Sequence, residues 1–375
     1  MGERVIIIGG GPVGLYLGCQ LRLAGRACDI VERRTARSTH SRSIGVHPPA
    51  LRRLMDIDVG ETLVRQGIQV RHGHAYSNGH ALGLLSFDVL PPPIQWVLAV
   101  PQHITESVLE DRFESLGASV RRGLTVTGID QDERSVSIEM ESPQGPITET
   151  ADWIIACDGR RSTIRDLLDV EFEVRPYDAH YVMGDFPDRT DFGSGAAVYL
   201  GRQGLVESFP LPSGIRRWVA RLPRPMTDPQ AEAPVLIEAV AQRTGWTLDP
   251  AECRMHSAFT AERGEAQTFA VGRVALAGDA AHVVSPIGGQ GMNLGWMDAD
   301  WLAAWLSDNP DPDDLIQYDR DRRRSFRRAA KRAEQNMWMG KEGRSQLIRR
   351  WLAKLMLSSR LAPWFARQFT MDGLE

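Results

Sequence analysis

Apolar residues along this chain fall into two rhythms. Val5-Ile6-Ile7-Ile8, Trp153-Ile154-Ile155-Ala156-Cys157 and Val274-Ala275-Leu276-Ala277 are short runs of branched and small apolar residues, which suit strands buried on both faces. Each run breaks into a turn rich in glycine or polar residues, and a helix-spaced pattern follows. The first such pattern passes through Leu15, Leu17, Leu21 and Leu23 to Gly25, the second begins near Ser162, and the third runs from about Met292 to Leu306. Repetition of strand, turn and helix predicts an α/β chain built on a parallel sheet. Other strand-like runs, Ala179 to Phe186, Ala196 to Leu200 and Arg216 to Leu222, have Pro91-Pro92-Pro93 and Pro210, Pro212, Pro223 and Pro225 near their limits. They predict a second, inserted sheet.

The turns carry the chemistry. After the first strand, Gly9-Gly10-Gly11-Pro12-Val13-Gly14 opens the helix, and Glu32 ends the next strand, Ala27 to Val31. In this frame Gly9 makes the tight turn, Gly11 admits a pyrophosphate, Gly14 lets helix pack on strand, and Glu32 can hold a ribose hydroxyl. This predicts a Rossmann-type dinucleotide unit. After the Trp153 strand, Asp158-Gly159 turns tightly, and Arg160, Arg161 and Arg165 place cations where phosphates arrive.

After the Val274 strand comes Gly278-Asp279-Ala280-Ala281-His282, then Pro286-Ile287-Gly288-Gly289-Gln290-Gly291-Met292-Asn293. Its glycines leave backbone N–H groups unshielded where a helix begins, so an anionic or electron-rich group should dock there. His282 lies three residues after Asp279, but no third ligand is spaced nearby, and no metal is assigned.

Taken together, the three motifs resemble the single-component flavin monooxygenases related to para-hydroxybenzoate hydroxylase, over roughly residues 1 to 340. The resemblance implies a Rossmann-type FAD-binding domain with an inserted β-sheet substrate domain and C-terminal helices. It implies that Asp279 bonds the ribityl chain, that Pro286 lies against the isoalloxazine, and that Gly288, Gly289, Gly291, Met292 and Asn293 present N–H groups where charge gathers on reduction. By the same likeness Arg42 reaches the pyrophosphate and Gln102 touches the flavin, while Pro12, Val13, Arg33 and Gly278 complete the cofactor set. Pro286, Gly288 and Gly289 are the catalytic candidates. Ile287 stands where many relatives carry an aromatic ring, and the thioredoxin-like extra domain of larger relatives is expected to be absent.

The expected organisation is discontinuous: 1–72, 97–175 and 264–340 for the FAD-binding domain, 73–96 and 176–263 for the substrate sheet, and 341–375 for a helical tail. The substrate should lie between that sheet and the Pro286 turn, with Met183, Asp185, Tyr199, Trp218 and Arg221 as candidate pocket residues.

The 375 residues carry a net charge of −4, which gives no general bias toward nucleic acid. Charge is uneven, however. Residues 317–375 hold 15 Lys and Arg against 6 Asp and Glu, a net of +9 that leaves −13 on the rest. Ile348, Trp351, Leu352, Leu355 and Met356 fall at helical spacing among Arg349, Arg350 and Lys354, a basic amphipathic stretch that can pack on the acidic body or meet an anionic membrane. Packing is the expectation. Cys19, Cys28, Cys157 and Cys253 form no close pairs, the first strand starts too near Met1 for a signal peptide, and no apolar run spans a bilayer; a reduced, cytoplasmic setting is expected.

The resemblance implies hydroxylation of an aromatic or other electron-rich small molecule with O2 and NADH or NADPH, through a flavin C4a-hydroperoxide. A flavin halogenase is disfavoured, because no two tryptophans stand two residues apart. A non-redox cyclase and a polyprenoid-type reductase share the frame and stay open. No side chain announces itself as a general base, although His47, His72, His74 and His180 are conceivable.

Overall fold

The computed structural model describes residues 3–37, 41, 43–308, 310–341, 354, 355, 357 and 361–374. Arg42 and the stretch from Ile348 to Leu352 lie outside the described residues, as does Met356.

The branched apolar runs form adjacent strands of one sheet. Its spatial order is Ala270–Val271, Val274–Leu276, Trp153–Ala156, Val5–Ile8, Cys28–Glu32 and Val120–Arg122. Val5–Ile8 lies parallel to Trp153–Ala156 on one side and to Cys28–Glu32 on the other. Val274–Leu276 runs parallel to Trp153–Ala156 in turn. The glycine fingerprint, the Asp158 turn and the Gly278-Asp279 turn therefore emerge side by side from the same edge of the sheet. Ligands of open α/β sheets bind outside this carboxyl edge.

Two helices enter that edge with their N-termini, Pro12–Leu23 and Gly291–Ser307. They pack closely because Gly295 faces Val13, where an added Cβ would come within 2.5 Å of Val13 Cγ2. Trp296 Nε1 donates to the Pro12 carbonyl at 2.9 Å and fixes their relative depth.

A second, largely antiparallel sheet contains His282–Val283, Met255–Ala266, Phe172–Pro187, Ile215–Leu222, Gly204–Leu211, Ala196–Gly201, His72–Ser77 and His80–Ser86, in that order. Phe172–Pro187 and Met255–Ala266 extend past the limits 176 and 263 set from sequence, and His282–Val283 joins from beyond the Gly278 turn.

The two faces of this sheet have different fates. Val182, Phe186, Tyr199, Val206, Trp218 and Ala220 pack under the helix Glu232–Thr244, against Leu236, Ala239 and Val240. Tyr181, Met183, Leu205 and Val219 face the other way and cluster with Ile287 and Met337. The helix Ala362–Phe369 lies over the edge strand, with Ala366 in a cluster that includes Leu85, Phe87 and Leu211.

Candidate active site

One continuous cleft of about 860 Å³ joins the carboxyl edge of the parallel sheet to the inner face of the second sheet. Its first end is lined by Gly9, Gly11, Pro12, Val13, Glu32, Arg33, Gln102, Asp158, Gly159 and Asp279. Pro286, Gly288, Gly289, Gly291 and Met292 line its waist, and Met183, Val198, Leu205, Glu207, Phe209 and Val219 line the far wall.

The glycines divide by role. Gly9 has φ +111°, and an added Cβ would overlap the Cys157 carbonyl, so the turn needs glycine for backbone reasons. At Gly11 an added Cβ meets nothing of the protein within 4 Å. It is an open cradle at the N-cap of a helix whose first-turn amides lack intrahelical acceptors. Gly14 is a packing residue, as its Cβ would strike the Gly9 carbonyl.

Glu32 is buried and already engaged: its Oε2 accepts from the Gly10 amide at 2.9 Å, and its Oε1 accepts from the Arg34 amide at 2.8 Å. Burial pushes its carboxyl up, but hydrogen bonds from Arg34 and Gly10 outweigh this and hold it below the usual range. Asp158 Oδ2 accepts from the Ile164 amide at 3.2 Å, while Oδ1 is buried with no partner among the described residues. Asp279 is exposed within the cleft, and enclosure by protein pushes its carboxyl up.

Beneath Asp279 is a buried polar group that the sequence reading missed. Asp298 Oδ2 accepts from the Gly278 amide at 2.9 Å and pairs with His282 Nε2 at 2.7 Å, and its Oδ1 accepts from Arg322 Nε at 2.7 Å. Burial works against the Asp298 charge, but His282 and Arg322 overcome it and hold the carboxyl low. His282 therefore supports the turn from below. Gly278, a cofactor candidate, does not line the cleft; it packs on Val13 and gives its amide to Asp298.

The Pro286–Gly291 turn is clamped from one side. His47 Nε2 meets the Gly288 carbonyl at 2.8 Å, and Asn293 Nδ2 donates to the carbonyls of Gly289 at 2.7 Å and Gly45 at 3.0 Å. Asn293 Oδ1 accepts from the His47 amide at 2.9 Å. The Asn293 side chain is thus committed to holding the turn, and Asn293 is absent from the cleft lining. His47 lines the cleft, but burial pulls its imidazole down to about 4, so it is neutral and serves as a clamp. Gly288 and Gly289 have φ +92° and +65°, the conformation that opens the turn.

Gln102 lines the cleft, its amide bonded to Ser41 Oγ at 2.8 Å and its side chain to Glu106 at 2.8 Å.

Of the substrate candidates, Met183 lines the cleft. Tyr199 and Trp218 do not: both point to the opposite face, where Tyr199 bonds Trp246 Nε1 at 3.0 Å and Trp218 is buried under the outer helix. Neighbours along a strand face opposite sides, so a slip of one residue exchanges pocket for packing. Asp185 shares Met183's face but is taken up by a bidentate pair with Arg217, at 2.7 and 2.8 Å. Arg221 gives its guanidinium to the carbonyls of Met337 at 3.1 Å and Asp178 at 2.7 Å. Neither lines the cleft. Arg217, Val198, Val219 and Glu207 do, together with Leu357, Phe365 and Phe369 from the tail. A charged residue at the alternate position between apolar Leu205 and Phe209 was the available signal for Glu207.

The residues present fit a flavin dinucleotide: an open glycine cradle, two helix N-termini, an unpartnered Asp158 oxygen and an Asp279 carboxylate aligned along one trough. Fold and trough define a dinucleotide-binding α/β flavoprotein with a second sheet closing the cleft. The sequence profile of the family described as "FAD binding domain" matches residues 3–333, and the chain belongs to that family.

The chain is 34% identical over 337 residues to 12-dehydrotetracycline 5-monooxygenase/anhydrotetracycline 6-monooxygenase of Streptomyces rimosus, covering 85% of this chain and 66% of that protein. It therefore spans just under two thirds of that relative's length. It is 31% identical over 320 residues to the dialkyldecalin synthase of Streptomyces rugosporus, covering 81% of this chain and 67% of the synthase. In fold it matches the crystal structure of p-nitrophenol 4-monooxygenase from Pseudomonas putida with a TM-score of 0.91, at 24% identity, over 99% of this chain and 98% of the other.

Proposed function

We propose that this protein is an FAD-dependent monooxygenase that hydroxylates an aromatic or other electron-rich small molecule, using O2 and NADH or NADPH. The observation that carries the reading is the continuity of the cleft: the trough that suits a dinucleotide opens, at the Pro286–Gly289 turn, onto an apolar wall of Met183, Leu205, Phe209 and Val219. A pocket of this composition suits a flat apolar ligand, which on binding displaces the water that otherwise fills it.

Gly9, Gly11, Pro12, Val13, Glu32, Arg33, Gln102, Asp158, Gly159 and Asp279 would hold FAD, with Arg42 added by resemblance. When bound, FAD supplies the redox chemistry. The protein's own part is positional. Gly291 and Met292 offer the orphan amides of a helix N-terminus to developing negative charge. His47 and Asn293 keep that turn in place, and Pro286 and Ile287 form its wall. The free thiols Cys19, Cys28 and Cys157 are buried, which supports a reducing, cytoplasmic setting. Among the described residues no helix is long and apolar enough to cross a membrane.

A second reading, a flavin-bound cyclase without redox turnover, is favoured by the dialkyldecalin synthase relative. The test is stoichiometric. In the FAD-loaded protein, NAD(P)H oxidation and oxygen uptake that rise together when a phenol is added support the hydroxylase. Product formed with neither consumed supports the cyclase.

A further inference from the structure

Glu207 stands on the cleft wall with no hydrogen-bond or ion-pair partner among the described residues. Directly across the sheet from it are Val198 on one strand and Val219 on the other, while Leu205 and Phe209 flank it along its own strand. Its carboxyl gains nothing from any hydrogen bond or ion pair among the described residues. The titratable and charged groups around it are otherwise engaged or neutral. Arg217 is paired with Asp185, and Arg221 is spent on the Met337 and Asp178 carbonyls. Tyr181, two strands away on Phe172–Pro187, feels the Glu207 charge, and its hydroxyl is buried without a partner among the described residues. The Pro286 turn contributes apolar Ile287 to the same cluster, and the helix Leu315–Met339 contributes Met337. Unsatisfied polar groups on an apolar wall are costly unless a ligand completes them.

We propose that Glu207 is a catalytic residue of the substrate end, binding a phenolic hydroxyl of the substrate and taking its proton. The phenol O–H bond breaks, its electron pair stays on the phenol oxygen, and the proton forms a new O–H bond on the Glu207 carboxylate. No oxidant or reductant is consumed in this step. The resulting phenolate feeds electron density to its ortho and para carbons, the positions at which an electrophilic oxygen is accepted. Glu207 regains its charge when the proton passes to solvent after product leaves. The apolar setting suits the role, since burial alone pushes the carboxyl up to about 7, where a general base works best near neutral pH.

The inference rests on the hydroxylase reading, and the test separates the two. The FAD-loaded, full-length protein is titrated with 1-naphthol and with its methyl ether, 1-methoxynaphthalene, and binding is read by tryptophan fluorescence. Wild type should prefer the naphthol at least about tenfold, the worth of one hydrogen bond to a charged group. Glu207→Leu should erase the preference, and Glu207→Asp should restore part of it, with FAD content unchanged in both. With naphthol as substrate, wild-type kcat/KM should rise with pH through about 7, and Glu207→Gln should remove that ionisation.

A wild-type protein that does not distinguish naphthol from its ether, or a Glu207→Leu variant that still does, overturns the proposal. If the preference depends on Glu207 but no phenol stimulates NAD(P)H oxidation, the hydroxylase reading fails while the phenol site stands.

Discussion

The two ends of the cleft were written into the chain in different ways. At the dinucleotide end, backbone geometry selects the residues: Gly9 cannot carry a side chain against Cys157, Gly14 cannot carry one against Gly9, and the paired helix N-termini follow from strand–turn–helix order. At the substrate end the strands tolerate almost any residue, and which side chain meets the cleft depends on a register that alternates every residue. Thus Met183 and Val219 line the wall, whereas Trp218, next to Val219 in sequence, is core on the far face. Constraint on the backbone leaves a motif, and constraint on orientation leaves none.

The largest effect should come at the cradle. Gly11 sits at φ −86° and ψ −177°, a region open to valine, and its Cβ position is empty of protein. Gly11→Val should therefore fold normally and purify without flavin, whereas Gly9→Val, at φ +111° and against Cys157, should fail to fold. Circular dichroism and flavin absorbance of the two purified variants check this. Soluble, yellow Gly11→Val protein would dissolve the distinction between a cradle and a packing glycine.

Next comes the register. Trp218→Ala empties a fully buried site and should cost about 3–5 kcal/mol of stability while leaving the cleft wall in place. Met183→Ala should instead raise KM for an aromatic substrate. Denaturant midpoints measured beside steady-state kinetics separate the faces, and a KM effect from Trp218→Ala with unchanged stability would reverse the assignment.

Asp279→Ala removes a carboxylate aimed into the trough. If it bonds the ribityl hydroxyls, about 1.5–3 kcal/mol of charge-assisted hydrogen bonding is lost, and FAD affinity should fall roughly tenfold or more by flavin titration.

The smallest effect is one of linkage. The folded-state value of Glu207, about 7, lies above its ordinary 4.5, so its favourable share of stability is complete below pH 4.5 and lost as pH rises through about 7. Because the group opens onto a solvated cleft, the expected penalty above neutrality is only about 1–2 kcal/mol. Glu207→Gln should raise Tm at pH 8.5 and change it little at pH 4.5, so an equal change at both would mean that burial does not set this carboxyl.

The α/β frame, the three turns and the inserted sheet were legible because each rests on local pattern: buried strand runs, glycine at special φ, proline at strand limits. The Asp298–His282–Arg322 support was not, because its members are brought together only by the packing of two helices beneath the Gly278 turn. The tail shows the same divide. Its charge imbalance was plain in sequence, yet the placement of Phe365 and Phe369 on the cleft and the stacking of Phe369 on Phe87, 6.0 Å between centroids, required the tertiary fold.

The central claim is that one cleft holds the dinucleotide at one end and delivers oxygen to an aromatic at the other. Its most direct test is mass spectrometry of the product formed from 1-naphthol by the FAD-loaded protein with NADPH under 18O2. The expected product is a dihydroxynaphthalene carrying one heavy oxygen from the gas, formed by wild type and absent with Gly11→Val. A product whose added oxygen comes from water, or one formed equally well without O2, would contradict the account.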